Sequence, residues 1–349
     1  MAEAKLYVPP SGTKAPARTY NQIHSARKHT PGGRRRVSIY VCWSFPGEAN
    51  RNIAELDNRF STMTEVRRVD WPFWEAPEWS NPMMFQQGIA GALELFFRAW
   101  MPFQQLVTEV TGHVVPVFQR VDQAGYRLPL DERVLDDADT LLVFGLDHLL
   151  TEQEASADEI DAVSRWLAHE GHVLILGPHH DVGISADPNE RAMEYAHHGD
   201  ALVPRQQRFG QYTRSLMKGL GVPVENRYGL RPGLVQGTTQ VAPLTINRDL
   251  DRRGWLNGVT NFSFHKHLPH YAVAEDTKAV HVLGRQPIDL SRPHPFTEAG
   301  NTEFNSFVWM PPAGSRGGEV LLADSTIFST LFGADESLKR FWKNLATAT

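Results

Sequence analysis

The chain has a single cysteine, Cys42, among 349 residues. That scarcity excludes an internal disulfide and any zinc or iron–sulfur site built from several thiolates. No apolar run approaches the roughly 18 residues from which a membrane-spanning helix is made, and residues 1–36 lack the apolar stretch of a signal peptide. A cytoplasmic protein that leaves membranes alone is the expectation. A large excess of one sign of charge is also missing: the formal net charge is −5, so no global basic field points to nucleic acid. No glycine-rich phosphate loop follows any apolar run, which argues against a nucleotide cofactor. A small-molecule substrate is the remaining default partner.

What is present is core-forming material. Apolar residues make up 41% and aromatics 10% of the chain, and the length exceeds that of an ordinary single domain. Residues 1–36 are rich in Pro, Gly, Lys and Arg, end in Pro31-Gly32-Gly33-Arg34-Arg35-Arg36, and read as an extended arm. Short apolar runs at 37–43, 113–118, 140–144, 172–176 and 319–323 read as buried strands. Helical patterns fall at 48–60, at 81–110 closed by Gly112, at 156–170 and at 336–346. A helix between the 140 and 172 strands requires a parallel crossover. The pattern predicts an α/β fold: a doubly wound, mainly parallel, flavodoxin-like sheet. Its divisions are a core at 37–222, an inserted, partly β region at 223–318, and a last core strand and helix at 319–349. The arm, together with Trp71, Trp74, Trp79 and Trp100, is expected to form a homo-oligomer contact, because aromatics outside core strands often mark such surfaces.

Four segments carry a resemblance. Asp139-Thr140-Leu141-Leu142-Val143-Phe144-Gly145-Leu146 looks like the strand before a nucleophile strand. Gly171-His172-Val173-Leu174-Ile175-Leu176-Gly177-Pro178-His179 looks like the nucleophile strand itself. The stretch from Phe209 to Val222 looks like the helix that follows, delayed by an insertion. Trp255-Leu256-Asn257-Gly258-Val259 and Gly318-Glu319-Val320-Leu321-Leu322-Ala323-Asp324-Ser325 complete the order. Together, from about residue 37 to the end, these resemble the glutamine-amidotransferase-like superfamily, in the branch that contains gliding-motility and intraflagellar-transport accessory domains. Working amidotransferases carry Gly-x-Cys-x-Gly at the elbow, because a thiolate must sit on a tight turn against helix N–H groups. The matching positions here are Gly177, Pro178, His179, His180 and Asp181. Without the thiol, the resemblance implies the fold and not glutamine hydrolysis. Cys42, near the end of the first strand, reads either as a small buried hydrophobe or as a nucleophile from elsewhere on the rim.

Open parallel sheets bind ligands beyond the carboxyl ends of their strands. That rim would carry Cys42, Asp147 and His148, the run His179-His180-Asp181, and Asp324, whose alternative role is to cap the next helix. A second cluster is His265-Lys266-His267-Leu268-Pro269-His270. On a strand, His265 and His267 would share a face, so both imidazoles reach one ion, with His270 just beyond. Its structural alternative is a polar strand edge. His197 and His198, in an inserted loop at 182–205, read as surface or as a lid.

The functional expectation is therefore a small-molecule hydrolase. A divalent ion, zinc or iron, would be held by His179, His265, His267 and His270, with Asp147, His148, His180, Asp181 and Asp324 as acid, base and orienting groups. Two alternatives stay open: a non-haem metal oxygenase or lyase, since two histidines and a carboxylate suit Fe(II), and a non-catalytic ligand-binding or scaffold module.

Overall fold

A computed structural model describes residues 35–43, 99–120, 128–147, 153–198, 207–208, 210–262, 265, 267–275 and 277–347. Most of the arm, the 48–60 helix, Trp71, Trp74, Trp79 and His148 lie outside the described residues.

The fold is α/β, built on an eight-stranded mixed sheet. Four strands from the first half of the chain stand side by side: β1 (Val37–Trp43), β2 (Val117–Gln119), β3 (Thr140–Leu146) and β4 (Val173–Pro178). Four later ones are β8 (Thr245–Ile246), β10 (His281–Pro287), β11 (Glu303–Met310) and β12 (Glu319–Ala323). The spatial order is β2-β1-β3-β4-β12-β11-β10-β8. The first five are mutually parallel, with Thr140 opposite Val173 and Glu319 also opposite Val173. From β12 outward the pairing turns antiparallel. The stretch between 223 and 318 thus extends the same sheet through β8, β10 and β11.

Two-sided burial explains the unbroken apolar runs. Along β1, Ile39 and Val41 face one hydrophobic cluster while Tyr40 and Cys42 face another. Helices α1 (Met101–Thr111) and α7 (Asp335–Thr347) cover the first face with Phe103, Val107, Phe341 and Trp342. Helices α2 (Glu132–Leu135), α3 (Ala157–Leu167) and α5 (Gln211–Gly219) cover the other with Val134, Trp166 and Leu216. Each such side chain, fully buried, contributes roughly 1.5–3 kcal/mol. Gly112 closes α1 in the left-handed region (φ 73°), which suits a residue without a Cβ. Ser156 and Glu159 form a capping box at the start of α3.

Two expectations change here. Trp100 is not on an outer surface: it is 2% exposed and packs on Phe144, ring centroids 4.9 Å apart. The 113–118 strand is shorter and later, Val117–Gln119, because Pro116 just before it has no N–H to give a ladder. Among the described residues no helix is long and apolar enough to cross a membrane.

Outside the main sheet, β5 (Asp181–Val182) pairs with β6 (Gln207–Arg208), and β7 (Val224–Leu230) pairs with β9 (Leu268–Val273). Helix α4 (Pro188–His198) and the short α6 (Pro295–Glu298) complete the chain.

Candidate metal centre

Strands β4 and β12 are parallel neighbours, so whatever follows each of them emerges side by side. His179 follows β4 and Asp324 follows β12. His179 Nδ1 lies 2.9 Å from Asp324 Oδ1. Asp324 also caps the short 3₁₀ turn after it, its other oxygen accepting from the Thr326 N–H at 3.2 Å and from the Thr326 hydroxyl. Capping and site roles thus fall on different oxygens of one carboxylate.

His265 and His267 arrive from the segment just before β9. They are not on a strand, so the alternation that predicted a shared face does not apply. They nevertheless stand together, ring centroids 5.0 Å apart. His265 lies 5.0 Å from His179 and His267 lies 5.2 Å from His180, centroid to centroid. The two sequence-predicted histidine clusters therefore meet at one place.

The residue that sequence reasoning read as surface or as a lid is His198. It ends α4, is buried, and its Nε2 lies 3.4 Å from His180 Nε2. Its ring stacks on His267 at 3.5 Å and 14°. The reason is the packing of α4, which is fixed at several points. Glu194 accepts the backbone N–H groups of Gly183 and Ile184. His197 bonds the Arg292 carbonyl through Nδ1 at 2.9 Å and accepts the Arg231 N–H on Nε2 at 3.0 Å. Strand β7 presses on the other side: a Cβ on Gly229 would stand 3.1 Å from His198 Cδ2 and 3.3 Å from His180 Cβ. Only glycine allows this approach without displacing the rings. The available signal was the Tyr195-Ala196-His197-His198 end of an amphipathic helix.

Six side chains thus form two contiguous groups. One donor atom from each of His179, His265 and Asp324, and one from each of His180, His198 and His267, lies within 4.8 Å of the others in its group. Burial, then the charge of neighbouring rings, holds His180, His198 and His267 well below the usual imidazole range. Burial and His179 push His265 down to about 3 against the pull of Asp324. Asp324 is raised by burial but lowered further by His179, leaving it net below an ordinary carboxyl. A neutral His265 beside an ionised Asp324 has the protonation states that metal ligation requires. The donor set fits an ion: His265 Nδ1 is buried with no hydrogen-bond partner among the described residues.

A polar layer behind the cluster fixes its backbone. Arg214, on α5, reaches the His179 and His180 carbonyls at 3.4 and 3.5 Å, the Asn226 carbonyl at 2.8 Å and Asp181 Oδ2 at 3.3 Å. Asn226 donates its side-chain N–H to the His179 carbonyl. Arg214 and Asn226 escaped the sequence reading because neither belongs to a recognisable spacing.

The remaining candidates stand elsewhere. Asp181 is buried between Arg208 and Arg214. Asp147 accepts the Tyr212 N–H at the start of α5 at 2.9 Å, and burial raises it to about 7. His270 sits among Tyr228 and Phe296, and its Nδ1 accepts the Asn305 N–H at 3.1 Å, so the sheet uses the nitrogen that a metal would need. Cys42 is fully buried, and burial pushes its thiol well up, which suits the hydrophobe and not a nucleophile.

No family model matches the chain, and no curated protein matches it.

Proposed function

We propose that this protein is a metal-dependent hydrolase of a small molecule, with its catalytic ion held by His179, His265 and Asp324. The observation that carries the reading is the convergence of these three side chains, from β4, from the segment before β9 and from β12, at the carboxyl ends of parallel strands. Two imidazoles and one carboxylate leave positions for water and substrate. A bound ion supplies Lewis acidity: it lowers the pKa of water toward neutrality and polarises a carbonyl or phosphoryl oxygen. Asp324 supplies the anionic ligand. Arg214 and Asn226 keep the His179-His180 backbone in place.

The parallel order β2-β1-β3-β4-β12 supports a flavodoxin-like reading of the core. In that reading the positions of the amidotransferase elbow have been given over to ligation. Metal-loaded protein is expected to hydrolyse members of a panel of nitrophenyl esters and acyl anilides, and His265→Ala and Asp324→Asn to lose that activity while melting like the parent. Metal-replete protein that is inert across esters, amides and phosphoesters would remove the proposal.

One observation favours a second reading. Two histidines and a carboxylate also form the facial set of non-haem Fe(II) oxygenases. Iron as the ion retained on purification, with substrate-dependent oxygen uptake, would move the assignment there.

A further inference from the structure

The histidine-rich motifs divide in an unexpected way. His179 and His180 are consecutive, with ring centroids 4.3 Å apart, yet they belong to different groups. His265 and His267 divide likewise. Each group takes one member from each motif and adds a third residue of its own, Asp324 in one and His198 in the other. The reading of the first group as a catalytic site leaves the second, His180, His198 and His267, without a role.

Among the described residues that second group is made of histidines alone. His267 Nε2 bonds the His198 carbonyl at 3.2 Å, a donation that fixes its tautomer and leaves Nδ1 as the basic nitrogen. His180 and His198 bring Nε2 to Nε2 at 3.4 Å, and such a contact holds at most one proton. A cation between the three rings would take a lone pair from each. The separation itself matches: ligand nitrogens about 2.0–2.1 Å from a tetrahedral ion stand roughly 3.3–3.4 Å from one another.

We propose that His180, His198 and His267 form a second metal site, adjoining the first, for a borderline transition ion such as Zn²⁺. Three imidazoles and no oxygen select against Mg²⁺ and Ca²⁺, which take oxygen ligands. The inference rests on the first site only for its function, since paired ions act together on the two oxygens of a displacement. Its occupancy is independent of that.

The test is stoichiometry on the full chain. Protein stripped with a chelator and titrated with Zn²⁺ by calorimetry, with metal content checked by mass spectrometry, is expected to take two ions. His198→Ala and His267→Ala should each take one, and His265→Ala should keep the other. A folded parent that saturates at one ion, or a His198→Ala protein that still takes two, overturns the second site. His267→Ala decides the matter if His198→Ala fails to fold. Two ions without hydrolysis would keep this site and sink the hydrolase reading; one ion with hydrolysis would do the reverse.

Discussion

His198 Nε2 stands 3.4 Å from His180 Nε2, while the preceding residue, His197, has both ring nitrogens bonded to backbone groups of other segments. Neighbouring histidines of one helix therefore do different work. His197→Leu should strand the Arg231 N–H and the Arg292 carbonyl, each at a cost of about 1–3 kcal/mol, with metal stoichiometry unchanged in protein that remains folded. His198→Ala should do the opposite, losing an ion with a small effect on stability. Denaturant melts paired with metal analysis separate the two.

Gly229 tests the closeness of β7 to the cluster. A methyl group there meets His198, Val182 and His180 at 3.1–3.3 Å. Gly229→Ala should cost about 1–3 kcal/mol through overpacking and weaken zinc binding by displacing the rings. Calorimetry showing parental zinc affinity would mean that the strand yields and the rings do not.

Arg214 joins Asp181 to the His179-His180 backbone. Arg214→Met keeps much of the volume but takes from the buried Asp181 carboxylate one of its two arginine partners, leaving Arg208 3.6 Å away. The expected loss is about 3–5 kcal/mol in urea unfolding. A loss under about 1 kcal/mol would show that Arg208 suffices.

Stability should fall with acid for a reason separate from the metal. Burial depresses His270 to about 4, and burial with His197 depresses His294 to about 3. As pH drops below about 6.5, the unfolded chain takes up protons that the folded chain refuses. Stability contributed by these groups is full above that value, falls through the window, and levels off below about 4 and about 3 respectively. Each group contributes about 1.4 kcal/mol per pH unit within its window. His294 Nδ1 accepts the Phe296 N–H at a helix start, a role Asn fills. His294→Asn should therefore reduce proton uptake on unfolding at pH 5 by about one, measured from the pH dependence of urea melts. An unchanged slope would place the His294 titration near its ordinary value.

The sequence by itself determined the core strands β1, β3, β4 and β12 and much of their environment. Runs such as Val173-Leu174-Ile175-Leu176 are apolar at every position, because helices cover both faces of the sheet, and that continuity is visible without coordinates. β1 and β12 have the predicted bounds, and the parallel pairing of β3 with β4 follows from the helix between them. His179 and Asp324 were legible as rim residues, since a residue just past a strand end has its position fixed by the strand. Tertiary structure alone decided the rest. His265 and His267 meet although neither lies on a strand, so period-two alternation does not describe them. His198 enters because Glu194, His197 and the bare face of Gly229 set where α4 lies, and those contacts join residues distant in sequence. The same logic removed His270 and Asp147 from the cluster: a backbone N–H takes up a nitrogen of the first and an oxygen of the second, and no spacing in the sequence reveals which polar group the folded backbone will claim.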